Sequence, residues 1–257
     1  MIERSEWLRR MRETTAAMYD LWSSVFFFET DEDAANSRVE ATVRYLKDLL
    51  RRIPANSTVL TAGCGEGRYD GMLLDAGYSV VGIDVSEGLL SHARKLYPAI
   101  RYEKMALNEM SFDSEFEAAV CIETLEHVFH EEWPVILHGF NNALKPGGVL
   151  YFTVDTVSEE ELERSYERAK AQGLPVVFGE VAEDVEEASA KVIAAGGDVP
   201  GEVSDRSVYH YYPGLERVQK WLDQEQFQIE TQGTATYSWG TDDAYEATYE
   251  HFVVRKR

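Results

Sequence analysis

The chain has 257 residues, 44% of them hydrophobic, enough for one α/β domain with a sizeable buried core and incompatible with a disordered chain. Its formal net charge of -21 makes the average surface repel phosphate backbones and anionic membranes, so neither nucleic acid nor a membrane is expected as a partner. The two cysteines, Cys64 and Cys121, sit in apolar strand-like runs and cannot frame a secreted disulfide-rich protein, which makes the reducing cytoplasm the expected compartment.

Residues 1–12 place Arg4, Arg9, Arg10 and Arg12 among Trp7, Leu8 and Met11, a pattern without the continuous apolar core of a signal peptide. No later run approaches the roughly 20 apolar residues of a membrane span. Residues 5–28 read as an amphipathic helix ending in Phe26, Phe27 and Phe28. A second helix over 34–52 follows helical spacing through Val39, Val43, Leu46 and Leu50 and stops at Pro54. Strands are then expected at 58–62, 79–83, 100–105, 117–122 and 148–154. They alternate with helices from about 68, over 88–96 and over 131–144, which predicts a parallel, doubly wound sheet. Pro134 fits the first turn of the last of these helices, and Lys145-Pro146-Gly147-Gly148 reads as its stop and turn.

Residues 157–205 interrupt the alternation with two charged helical stretches, around 159–172 and 181–194, separated by Gly173-Leu174-Pro175. A solvated helical hairpin and a lid over a site are both open readings of them. A helix over 213–223 and two strands over 227–236 and 249–255 close the chain with an antiparallel pair. The expected layout is one domain over 1–257. It comprises an N-terminal helical cap (1–52), a ligand-binding core (58–154), a helical insertion or lid (157–212) and a C-terminal helix and strand pair (213–257).

The sharpest motif is VLTAGCGEGR over 59–68, an apolar strand running into Gly63-Cys64-Gly65-Glu66-Gly67 and then a helix. Glycines there let the backbone turn tightly and approach a ligand, with helix N–H groups facing it. The next strand ends about twenty residues on in Asp84, placed to accept from a ribose diol. A dinucleotide site uses the same logic, but Arg68 stands where the third glycine of Gly-x-Gly-x-x-Gly belongs.

The spacing Gly-x-Gly-x-Gly instead resembles motif I of the class I S-adenosylmethionine-dependent methyltransferases of small-molecule type. VVGIDVS (80–86), FEAAVCIETLEHV (116–128) and LKPGGVLYFTV (144–154) resemble their later motifs in the same order. The resemblance implies a Rossmann-like α/β fold, a doubly wound seven-stranded sheet with the last strand antiparallel, and S-adenosylmethionine across the ends of its first strands. Carried over by residue, it implies that Gly63, Cys64, Gly65 and Gly67 form the loop at the methionine part. Asp84 would hold the ribose, with Val85, Met105 and Ala106 beside the adenine and Ile122 near the methionine. Arg68 is either a partner of the cofactor's carboxylate or a surface arginine, and an apolar setting makes Cys64 a packing thiol rather than a nucleophile. Two departures stand out: Met105 replaces a common aspartate, and Thr61 and Ala62 occupy the stretch where motif I usually carries an acid.

Methyl transfer requires alignment of acceptor and methyl, exclusion of water and, where needed, removal of a proton. Tyr19-Asp20-Leu21-Trp22 resembles the tyrosine-bearing N-terminal segment of small-molecule members, which implies Tyr19 over the methionine part and Trp22 near the acceptor. His210, Tyr211 and Tyr212, within Tyr209-His210-Tyr211-Tyr212-Pro213, are candidates for an acceptor pocket, with Tyr237 and Trp239 weaker ones. Glu123, Glu126 and His127 would share one face of a helical turn. His127 reads as a general base or acceptor-orienting group, as a structural histidine, or with the two carboxylates as a divalent-metal set; no metal is expected in the leading reading. That reading is methyl transfer to an oxygen or nitrogen of a small-molecule acceptor, with Tyr19 and His127 as the catalytic pair. A non-catalytic cofactor-binding module docking a partner protein and a metal-assisted O-methyltransferase are the alternatives, and a homodimer is compatible with either.

Overall fold

The computed structural model describes residues 2–23, 37–183, 208–239 and 245–257. Short apolar runs bounded by turns form the strands β1 (Thr58–Ala62), β2 (Ser79–Asp84), β3 (Arg101–Lys104), β4 (Phe116–Cys121) and β5 (Leu144–Thr156). Two short strands, β6 (Glu180–Glu183) and β7 (Val208–Tyr211), pair with each other, and β8 (Phe227–Trp239) and β9 (Tyr245–Lys256) complete the main sheet. Its order is β3-β2-β1-β4-β5-β9-β8, parallel from β3 to β5, with β9 antiparallel to both neighbours. The chain builds outward from β1 to β3 and then returns to β4, so a crevice opens between the ends of β1 and β4, where open α/β sheets bind ligands.

Helices cover both faces: α1 (Arg4–Trp22), α2 (Ser37–Leu50), α3 (Asp70–Asp75), α4 (Glu87–Leu96), α5 (Trp133–Ala143), α6 (Glu159–Ala171) and α7 (Leu215–Gln224). Because successive side chains of a strand point to opposite faces, a strand buried on both sides reads as a continuous apolar run. Leu60, Phe152 and Phe252 pack under α1, α5 and α7 with Trp7, Trp133 and Trp221. Val59, Tyr151 and Val253 pack under α2, α3 and α4 with Leu46, Leu73 and Leu90. Among the described residues no helix is long and apolar enough to cross a membrane.

Both ends of α1 are pinned, and this fixes the cap over the crevice. At its start, Arg4 donates to Glu131 Oε1 and Glu180 Oε2, both at 2.9 Å, and to the Pro175 carbonyl. At its end, Asp20 Oδ1 accepts from Ser86 Oγ at 2.7 Å and from the Gly88 amide at 3.0 Å. Ser86 Oγ in turn accepts from the Leu89 amide, so Asp20 and Ser86 together cap α4.

The structure moves several expected boundaries. The first helix ends at Trp22 rather than 28, and Phe26, Phe27 and Phe28 lie outside the described residues. Helix α3 starts at Asp70 because the left-handed glycine loop must finish first. Lys145-Pro146-Gly147-Gly148 is a bulge inside β5: Leu144 already pairs with Phe116, and the register shifts before Ala118 meets Val149. A helix was expected to begin near 181, but Glu180–Glu183 is a strand, because its partner β7 and the buried ion pair from Glu180 to Arg4 supply long-range contacts that no local period reveals. The rest of that expected helix lies outside the described residues.

His251 on β9 is fully buried, stacked on Tyr45 at 4.4 Å and hydrogen-bonded through Nδ1 to Tyr151 Oη at 2.9 Å. Burial, with the charge of Arg44 adding, lowers its pKa to about 4. The unfolded chain takes up this proton near pH 6.5, so the contribution is complete above that pH and is lost as the pH falls toward 4, by up to about 3 kcal/mol. In urea unfolding, the stability of wild type minus that of His251→Gln should therefore shrink between pH 7 and 4.5. A constant difference would mean that the buried imidazole is not held neutral.

Candidate functional site

After Ala62 the chain turns through three glycines with φ of +67° at Gly63, +56° at Gly65 and +84° at Gly67. The amides of Gly63 and Cys64 donate to the Ile83 carbonyl at 2.8 and 3.1 Å, tying the loop to the end of β2. There the half-buried Asp84 accepts from the Gly65 amide through Oδ2 at 2.8 Å and from the Ser86 amide through Oδ1 at 2.9 Å. Shielding from water pushes its pKa up, against the pull of those amides.

The three glycines answer different demands. A Cβ at Gly63 would stand 2.3 Å from Thr124, and one at Gly67 2.8 Å from the Tyr102 hydroxyl. At Gly65 the nearest atom is Leu89 Cδ1 at 3.9 Å, and the backbone faces open space. Packing requires the outer two; the middle one keeps a cradle clear.

That space is a cavity of about 590 Å³ at the ends of β1, β2 and β4. Its floor contains Gly63, Cys64, Gly65, Arg68, Asp84 and Val85, with Met105, Ala106 and Ile122 beside them. The facing wall carries Tyr19 and Trp22 from α1, Glu126 and His127 from the turn after β4, and His210 and Tyr212 at the end of β7. Two expected residues are not in the lining. Gly67 lies against Tyr102, and Tyr211 points the other way along β7, where its hydroxyl accepts from Arg217 Nη1 at 2.6 Å and meets His130 Nδ1 at 3.1 Å. Strand alternation places neighbours on opposite faces, so His210 and Tyr211 cannot share a pocket wall. The side chains of Tyr237 and Trp239 lie outside the described residues.

Tyr19 Oη and His127 Nε2 are 2.7 Å apart, and the His127 ring meets His210 edge-on with centroids 4.4 Å apart. Trp22 packs edge-on against Tyr19 at 5.2 Å. The Nδ1 atom of His127 is shielded from water and has no hydrogen-bond partner among the described residues. Burial, with the nearby charge of His210, holds the pKa of His127 well below the usual histidine range, so the ring is neutral at neutral pH.

His127 belongs to a single 3₁₀ turn, Leu125–His127, and Glu123 precedes it in a left-handed conformation at φ +51°, its amide donating to Thr153 Oγ1 at 2.7 Å. The helical face expected to bring Glu123, Glu126 and His127 together is therefore not formed. All three line the cavity, yet no group of three metal-ligating side chains is found among the described residues. Burial raises the Cys64 thiol pKa well above its usual value, with Asp70 and Asp84 adding to it, so this thiol is not a nucleophile.

Sequence reasoning missed three parts of the wall. Asp155 and Tyr249 enter it from paired positions on β5 and β9. Arg12 Nη1 and Asn108 Nδ2 both donate to Glu132 Oε1, at 2.8 and 3.1 Å, across separations no motif spans. Asp70, 1% exposed, accepts from the Tyr102 hydroxyl at 2.7 Å, and burial raises its pKa to about 6. A carboxylate opening the helix directly after a glycine loop was the available signal for it.

Residues 59–148 match a family described as a methyltransferase domain. The ubiquinone biosynthesis O-methyltransferase of Hydrogenovibrio crunogenus is 32% identical over 104 residues, 38% of this chain and 42% of that protein. The malonyl-[acyl-carrier protein] O-methyltransferase of Pectobacterium atrosepticum is 31% identical over 128 residues, 47% of this chain and 48% of that protein. The chain thus spans less than half the length of these curated relatives. Among solved structures, a methyltransferase from Methanosarcina mazei shares the fold with a TM-score of 0.63 at 17% identity, over 81% of this chain and 96% of that one. A 1,6-didemethyltoxoflavin-N1-methyltransferase from Burkholderia thailandensis, solved with 1,6-didemethyltoxoflavin and S-adenosylhomocysteine, does so with 0.59 at 14% identity, over 95% and 89%.

The geometry of the loop separates two alanine variants. Gly65→Ala forces only a left-handed backbone on a residue with a Cβ, costing about 1–2 kcal/mol. Gly63→Ala adds the collision with Thr124, about 1–3 kcal/mol more. Urea unfolding should rank Gly63→Ala as the less stable protein; equal losses would contradict the packing argument.

Proposed function

We propose that this protein, whose residues 59–148 match a family described as a methyltransferase domain, transfers a methyl group from S-adenosylmethionine to an oxygen or nitrogen of a small-molecule acceptor. The observation that carries the reading is the Tyr19–His127–His210 cluster standing in the same cavity as the glycine loop and Asp84.

The residues present suit the cofactor. A cavity of about 590 Å³ falls in the range of small-molecule sites, about 300–1,000 Å³. The open face of Gly65 leaves room for the methionine part. The Asp84 carboxylate accepts from the Gly65 and Ser86 amides and keeps lone-pair capacity for a ribose hydroxyl. Val85, Met105 and Ala106 offer apolar contact to an adenine, and Arg68 suits a carboxylate. When bound, S-adenosylmethionine supplies a methyl group on a positively charged sulfur.

The wall opposite does the remaining work. Tyr19 and Trp22 set electron-rich rings beside the cavity, which favour a neighbouring cation. His127 is neutral, so Nε2 is able to take the Tyr19 proton while Tyr19 Oη takes the acceptor's, a relay across 2.7 Å. His210 and Tyr212, at the end of β7, close part of the facing wall, where they would shield an acceptor from water. The matched relatives include both O- and N-methyltransferases by name, and for this chain either atom is accommodated by the same relay.

Release of S-adenosylhomocysteine from S-adenosylmethionine should be detected with at least one class in a panel of phenols, amines and carboxylates. His127→Ala should then lower turnover about 10²- to 10⁴-fold while S-adenosylhomocysteine affinity stays nearly unchanged. Full activity of that variant would remove the relay from the mechanism.

A further inference from the structure

Helix α3 opens with Asp70, whose side chain lies under the glycine loop and yet reaches the cavity wall. Its Oδ2 is 3.1 Å from where a Gly67 Cβ would stand. The groups that hold it are two neutral donors, the Tyr102 hydroxyl of β3 and the Thr61 hydroxyl of β1. Tyr97, at the end of α4, and Cys64 face it as well, and each has its own ionisation suppressed by the Asp70 charge. Among the described residues, no lysine or arginine is among the groups acting on Asp70.

A carboxylate withdrawn from water without a cation is expensive, and proteins ordinarily pair such a group or neutralise it. In a cavity wall, the missing counter-charge belongs to a ligand. Arg68 lines the same cavity two residues earlier in the chain, so the cavity presents an anion and a cation from one short segment, a charge pattern that suits an amino-acid zwitterion.

We propose that Asp70 binds the ammonium group of the cofactor's methionine part, so that this chain demands an intact amino-acid tail on its ligand. The inference rests on the methyltransferase reading. The hydroxyls of Thr61 and Tyr102 serve it as positioning groups, steering the carboxylate toward the cavity.

Calorimetric titration of wild type and Asp70→Asn with three probes tests this: S-adenosylhomocysteine, its deaminated analogue, and 5′-methylthioadenosine, which lacks the amino-acid part. Wild type should bind S-adenosylhomocysteine about 10- to 100-fold more tightly than the deaminated analogue, the range for a hydrogen bond between charged groups. Asp70→Asn should lose that discrimination while binding 5′-methylthioadenosine as wild type does. Equal loss for all three probes would assign Asp70 a structural role and overturn the proposal, as would undiminished S-adenosylhomocysteine binding by the variant. Should the variant fail to fold, the wild-type comparison still decides, because equal affinity for the first two probes overturns it. Failure of the methyltransferase reading would show differently, as wild type binding none of the three.

Discussion

The carboxylate of Asp84 is the joint on which the site hangs. One oxygen fixes the Gly65 amide of the loop after β1, the other the Ser86 amide at the head of α4, and Ser86 passes the connection through its hydroxyl to Asp20 of α1. Loop, strand, helix and cap are thereby held by one run of hydrogen bonds, with the positive end of α4 compensating the two carboxylates. Without it the glycines would keep their freedom to turn left-handed but lose the reason to turn in one place.

The cavity has two halves of different origin. The floor is made from strand ends and the glycine loop, parts of a sheet whose positions follow from parallel pairing. The facing wall comes from α1, the turn at Leu125–His127 and β7. The region matched to the methyltransferase domain, residues 59–148, contains the floor and His127 but not Tyr19, Trp22, His210 or Tyr212. The floor therefore lies within the matched region, whereas most of the facing wall lies outside it.

The legible parts of the molecule were those written in short range. Strand and helix periods, the three glycines and the acid ending β2 each occupy a few neighbouring residues, and the sheet followed from their alternation. The fate of 180–183 was not legible, because its partner strand begins at 208 and its buried Glu180 is answered by Arg4. The same limit hid the orientation of Tyr211: a cluster of aromatic letters does not say which of them share a face until the segment is known to be a strand. Glu123 defeated the helical-turn argument through a left-handed backbone that thirty residues later is held by Thr153. Asp70 was visible as a letter, but its meaning depends on a desolvation that only the packed loop imposes.

The most direct measurement of the central claim is a crystal structure of the protein with S-adenosylhomocysteine. The ribose hydroxyls should lie within about 2.6–3.0 Å of the Asp84 oxygens, with the sulfur over the glycine loop and facing Tyr19 and His127. A ligand bound elsewhere, or a dinucleotide whose pyrophosphate takes the glycine loop in preference to S-adenosylhomocysteine, would contradict it.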